Sequence, residues 1–175
     1  MSTDAQGRPE PEPAADEATT LRQFLEWQRR TLAWKTDGLT DAELRRTLAP
    51  SAITFGGLLG HLAWVEDFWC GHRLRGDEPL PRWRDLDWDA DPDGEWHLEL
   101  PGDELRAVWR EAVERSDAAI EAALVAGGAD TLEVTGVRGS HVTLRWILIH
   151  LIEEYARHNG HADLLRESID GAVGE

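Results

Sequence analysis

Apolar positions fall into four long stretches with helical spacing, separated by stretches rich in glycine, proline and acid. The first runs from Thr20 to about Trp34, with Leu21, Phe24, Leu25, Leu32 and Trp34 set among Arg and Glu; Thr19 or Thr20 is placed to cap it and Gly38 to stop it. Thr40 and Glu43 spell a capping box for a short helix, which Ala49-Pro50-Ser51 breaks. A second long helix is expected over 55–74, opened by Thr54 and closed by Gly76. A third is expected over 102–124, after Pro101 and before Gly127-Gly128. The fourth is expected over 143–169, capped by Ser140 or Thr143 and ended by Gly171. Residues 77–101 read as a long acidic loop with a short strand or turn, and 129–142 as a small hairpin or extended crossover. The pattern predicts an all-α chain, a four-helix bundle with long connections and one short extra helix. Residues 1–18 are rich in Pro and acid with hardly an apolar side chain, and read as a flexible tail on a single domain of 19–175.

Two of the apolar rows break their own rule. On the fourth helix Ile147, Leu151, Glu154, His158, His161 and Leu165 are spaced 4, 3, 4, 3, 4, the spacing that aims side chains at partner helices. The middle three of that row are polar. Glu154 and His158 lie one turn apart and differ by about 40° around the axis. His150 stands a turn before Glu154. On the second helix Thr54, Leu58, His61, Val65, Phe68 and His72 follow the same spacing, with His61 in mid-row. An inward carboxylate costs several kcal/mol unless paired or coordinated. A divalent metal accounts for the inward Glu and His residues together; a buried Glu–His or Glu–Arg network is the alternative, and a misassigned row the third.

Composition narrows the function. Lys+Arg is 18 against Asp+Glu 34, a formal charge of −16. That surplus argues against nucleic acid and anionic membrane surfaces as partners. The one cysteine, Cys70, excludes an internal disulfide and a Cys-rich zinc site, and is expected to be a buried thiol. The first residues lack the basic and apolar regions of a secretory signal, and no run reaches the ~18 apolar residues of a membrane span. A cytoplasmic location and a small-molecule substrate are therefore expected. Trp64 and Trp69 are expected in the core. Trp83, Trp88 and Trp96 lie in the acidic loop, where they are expected to fold back over the bundle or to form a homodimer contact. Asp89, Asp91, Asp93 and Gly94 mimic the start of a calcium loop, but the twelfth position is Leu100 instead of Glu.

The segments GGLLGHLAWVEDFW (56–69) and LRWILIHLIEEYARHNGHADLLRESIDG (144–171) resemble the DinB-like metal-binding four-helix-bundle superfamily, most closely its mini-circle protein branch. The resemblance implies a metal held by one His of the second helix and two residues four apart on the last, here His61, Glu154 and His158. Many members carry His at the Glu154 position; the mycothiol-dependent maleylpyruvate isomerases, similar in fold, use the His, Glu, His set. Zinc is the metal expected first, with nickel, iron or manganese as alternatives. A metal-dependent thiol S-transferase or isomerase follows, with a low-molecular-weight thiol such as mycothiol as cosubstrate. His161, one turn beyond His158, is the candidate for orienting a ligand or acting as general base, and Arg157 a weaker candidate for an anionic substrate group. A metal-binding stress or scaffold protein without catalysis is a second reading. A non-haem iron enzyme is a third, because two His and one carboxylate are also its ligands.

Overall fold

A computed structural model describes residues 2–136 and 139–173. The chain is all-α: among the described residues there is no strand, and four long helices carry the fold. It divides into two compact units, residues 1–55 with 148–175, and residues 56–147.

In the first unit, α1 spans Glu17–Thr36 and the short α2 spans Asp41–Leu44; α6, Leu144–Asp170, belongs to it from Leu148 onward. Asp16, and neither of the threonines, caps α1, accepting from the Thr19 amide at 3.1 Å. A carboxylate meets the exposed amides and the positive helix end at once, which favours it over a hydroxyl. The capping box of α2 is present as expected, with the Thr40 and Glu43 side chains each serving the other's backbone N–H. α1 and α6 are tied by polar groups. Asn159 Nδ2 donates to the carbonyl of Gln28 at 3.0 Å and to its side-chain oxygen at 2.7 Å. Arg166 Nη1 donates to the carbonyls of Lys35 and Asp37, and Lys35 Nζ meets Asp163 at 2.7 Å. Leu25, Leu32, Leu151, Tyr155, Ala162 and Leu165 are buried apolar positions of this unit.

The first residues have local structure that composition hides. Arg8 is 3% exposed. Its guanidinium lies 4.3 Å from the Trp27 ring and 5.1 Å from the Trp34 ring, and donates to Thr31 Oγ1 and Asp4 Oδ2. One arginine between two indoles supplies the burial that a string of Leu or Val would otherwise signal.

In the second unit, α3 spans Phe55–Glu66 and continues as a π-helix over Asp67–Arg75, ended by Gly76 at φ 79°. The expected single helix is thus continuous but changes its winding at Asp67, a feature common at functional sites. α5, Gly102–Gly127, pairs with it: Ser116 Oγ donates to the Glu66 carbonyl at 3.2 Å, and Arg115 Nε stands 3.2 Å from Asp67 Oδ1. The acidic loop holds a turn of helix, α4, at Pro81–Arg84, and a 3₁₀ turn at Gly94–His97. Of its three indoles, Trp83 is buried and Trp88 and Trp96 are half-buried. Trp64 and Trp69, expected in the core, are also only half-buried. Asp91 turns onto His97 at 2.7 Å, which holds the His97 pKa above its ordinary value. The 129–142 stretch doubles back on itself, as the hairpin reading expected: Leu132 pairs antiparallel with Thr143, and the Glu133 N–H donates to the Val142 carbonyl at 3.0 Å; Val137 and Arg138 lie outside the described residues. Arg73 anchors it, through Glu133 and the Thr135 carbonyl. Thr143 caps α6 as expected, accepting from the Trp146 amide at 3.3 Å.

Candidate functional site

On α6 the polar row is organised around Glu154. Its Oε2 is 3.4 Å from His158 Nε2, and its Oε1 is 3.6 Å from His150 Nε2. One helical turn separates each pair, so the spacing alone brings them together. His158 is 6% exposed, and its Nδ1 lies 3.3 Å from Nδ1 of His161. His150 also faces Glu153, at 3.4 Å. Arg157 pairs with Glu153 and is 57% exposed, on the solvent side of the row.

His61 is held differently, by the acidic loop. Its Nδ1 lies 3.1 Å from Oε1 of the buried Glu95, and its ring stacks on Trp96 with centroids 4.3 Å apart and planes 17° apart. Glycine makes this approach possible. A Cβ on Gly60 would lie 2.3 Å from the Glu95 carbonyl oxygen, so any side chain there would push the 3₁₀ turn off the helix. A carboxylate can only accept, so it assigns the His61 proton to Nδ1 and the lone pair to Nε2. Glu95 Oε2 is buried and makes no hydrogen bond.

These features meet the chemistry of a metal site. Two donors each about 2.1 Å from a tetrahedral ion stand about 3.4 Å apart, the separation of Glu154 Oε2 and His158 Nε2. A histidine whose Nδ1–H is given to a carboxylate is the form in which imidazole usually binds metal through its other nitrogen. His150, Glu153 and Glu154 form a second cluster of metal-ligating type on α6.

The model of the family described as Mycothiol-S-transferase matches residues 20–171. The chain belongs to that family. This bears out the resemblance to DinB-like, mycothiol-related proteins drawn from the 56–69 and 144–171 segments. A comparison with curated proteins gave no match. The family points to a small-molecule thiol substrate.

Sequence reasoning missed Glu95, and it expected Trp96 to fold back without linking it to His61. Neither sits in a periodic row, and each lies more than thirty residues from His61. The one available signal was the indole content of the acidic loop, together with the glycines of Gly56-Gly57-Leu58-Leu59-Gly60 that let it come close.

Proposed function

We propose that the protein is a metal-dependent mycothiol S-transferase, in which His61, Glu154 and His158 hold one divalent ion and a small-molecule electrophile accepts the thiol. The observation that carries the reading is the donor pair of half-buried Glu154 and buried His158 at 3.4 Å, within a chain that belongs to a thiol-transferase family. His61, with its Nδ1 committed to Glu95, offers the tautomer a third ligand needs. A bound ion would supply Lewis acidity that lowers the thiol pKa. The protein's part is to orient and to move the proton. Glu95 and Trp96 fix the plane of the His61 ring. His161, three residues beyond His158 and in contact with it, is assigned to take the thiol proton at Nδ1, the nitrogen that holds its lone pair when His158 ligates through Nε2 and keeps its own proton on Nδ1. The sulfur pair then forms the C–S bond, and the leaving group departs with the pair of the broken bond. Residues 19–175 are read as the domain that does this. The −16 charge supports small molecules over nucleic acid as partners, and no helix among the described residues is long and apolar enough to cross a membrane. We place the activity in the cytoplasm.

Elemental analysis of the purified protein, beside turnover of mycothiol with an electrophile, tests the reading. His61→Ala, Glu154→Ala and His158→Ala should each lose stoichiometric metal and activity. His161→Ala should keep the metal and lose turnover by roughly a hundredfold or more, the usual worth of a positioned proton acceptor. Metal retained in all three ligand variants would sink the assignment. Metal lost in the His161 variant would make that residue a ligand. The same two-His, one-carboxylate set also suits non-haem iron, and the metal found in that analysis separates the two chemistries.

A further inference from the structure

The second unit holds a cavity of about 350 Å³ that the proposed metal ligands leave unused, and its size is that of a small-molecule site. Four aromatic side chains wall it: Trp64 and Phe68 from the α3 helix and its π continuation, Trp83 from α4, and Trp88 from the acidic loop. Trp64 and Phe68 stack with centroids 5.1 Å apart and planes 17° apart, and Trp88 tilts against Trp64 at 5.9 Å. The cavity begins one ring from His61, since Trp64 also stacks on that imidazole at 6.2 Å.

Its polar lining is biased toward acceptors. Asp67 is buried on the wall. One of its oxygens accepts from Trp83 Nε1 at 2.9 Å. The other, Oδ1, faces Arg115 Nε at 3.2 Å without hydrogen-bond alignment, and both atoms are buried and unsatisfied. His72 gives its Nδ1 to the Asp77 carbonyl at 2.9 Å, which leaves Nε2 as an acceptor. Arg115 is shared between Asp67 and Asp77, and Arg84 pairs with Asp85. Glu78 lines the cavity with no cation against it among the described residues. Burial pushes the Asp67 pKa up in spite of Trp83 and Arg115, so the carboxylate is under-compensated where it stands.

We propose that this cavity binds the aromatic body of an acceptor substrate bearing an amino or ammonium group, its ring between the indoles and its N–H donors on Asp67 and His72. Aromatic faces attract a cation, and an excess of acceptors favours a donor over a carboxylate. The cavity assignment stands on this unit's geometry; the ligand's role as acceptor rests on the S-transferase reading above.

The test titrates the full-length protein with three matched probes, 2-naphthylmethylammonium, 2-naphthylmethanol and 2-naphthoate. Binding is read by calorimetry and by the indole N–H resonances of the wild-type protein. The ammonium should bind about tenfold more tightly than the alcohol, with the carboxylate weakest, and should shift Trp64 and Trp88 while Trp27 and Trp34 stay put. Trp88→Leu, in the half-buried wall, and Asp67→Asn should each weaken the ammonium by about tenfold. No saturable binding, a carboxylate preference, or shifts confined to other indoles would overturn the proposal, and these readings need no variant. Ammonium binding at Trp64 and Trp88, with no thiol transferred to any electrophilic naphthyl amine, would uphold the cavity and remove the transferase reading. Thiol transfer to such an electrophile with an acceptor KM unchanged in Trp88→Leu would uphold the transferase and remove the cavity as the acceptor's seat.

Discussion

His158 and His61 are both inward histidines on long helices, yet they are positioned by opposite means. His158 is placed by its own helix, with Glu154 four residues before it and His161 three after. His61 is placed by a loop, with Glu95 on its Nδ1 and Trp96 on its face. Backbone geometry guarantees the first arrangement once the helix forms. The second requires a close approach of helix and loop, which a glycine permits and a buried carboxylate exploits. The contrast separates what a helical repeat can encode by itself from what only tertiary structure can build.

Removing the loop's contribution while keeping the helix sharpens that contrast. Glu95→Gln preserves shape but removes the negative charge behind His61, and lets Nδ1 act as donor or acceptor. Loss of such a partner behind a ligating histidine typically weakens metal binding by about 10–100-fold, and that range is the expected effect here. Competition with a chelator of known affinity measures it. An unchanged affinity would mean that His61 is oriented by Trp96 alone or is not a ligand. The same substitution should leave the metal-free fold in place, since one neutral hydrogen bond replaces a charged one.

The distinction also explains what the sequence revealed. The four long helices, the capping box at Thr40 and Glu43, and the Thr143 cap were legible because each rests on neighbours within a turn or two. The row Glu154, His158, His161 was legible for the same reason. The Asp16 cap was missed by a few residues, where two threonines competed with an acid for the same role. The Arg8 contacts with Trp27 and Trp34 were invisible, because burial there comes from one cation between two indoles and not from a periodic apolar row. The cavity was hidden likewise. Trp64 and Trp69 read as core from their helical positions, whereas the structure leaves both half-buried and turns Trp64 into a cavity wall.

Gly60→Ala probes the approach itself. A methyl placed 2.3 Å from the Glu95 carbonyl forces the 3₁₀ turn outward, since the obstacle is backbone and cannot rotate away. Overpacking of this kind typically costs about 1–3 kcal/mol. Denaturant unfolding should show that loss, and metal affinity should fall with it because Glu95 is carried away from His61. An equivalent change at Gly160, where a Cβ would meet nothing within 4 Å, should cost neither metal affinity nor a comparable loss of stability. If Gly60→Ala destabilised the protein but left metal affinity intact, the loop would support the fold without positioning the ligand.

The smallest expected effect concerns Asp67, a helix residue whose surroundings come from the loop and from α5. Trp83 donates to it and Arg115 stands beside it, and both favour the charged form. Burial opposes them and is the larger influence, so the pKa is raised. A carboxyl whose pKa is higher in the folded than in the unfolded chain keeps its proton longer when folded. As pH rises from the ordinary carboxylate value toward the raised one, the unfolded state releases its proton first, and stability falls across that window. Above the window the difference is constant. Asp67→Asn removes the titration while leaving an oxygen for Trp83 Nε1. The melting temperature of the variant relative to the unsubstituted protein should therefore climb as pH rises through the window and then level off. A difference that ran the other way would mean that Trp83 and Arg115 outweigh burial, and that the loop and α5 already satisfy this carboxylate without a ligand.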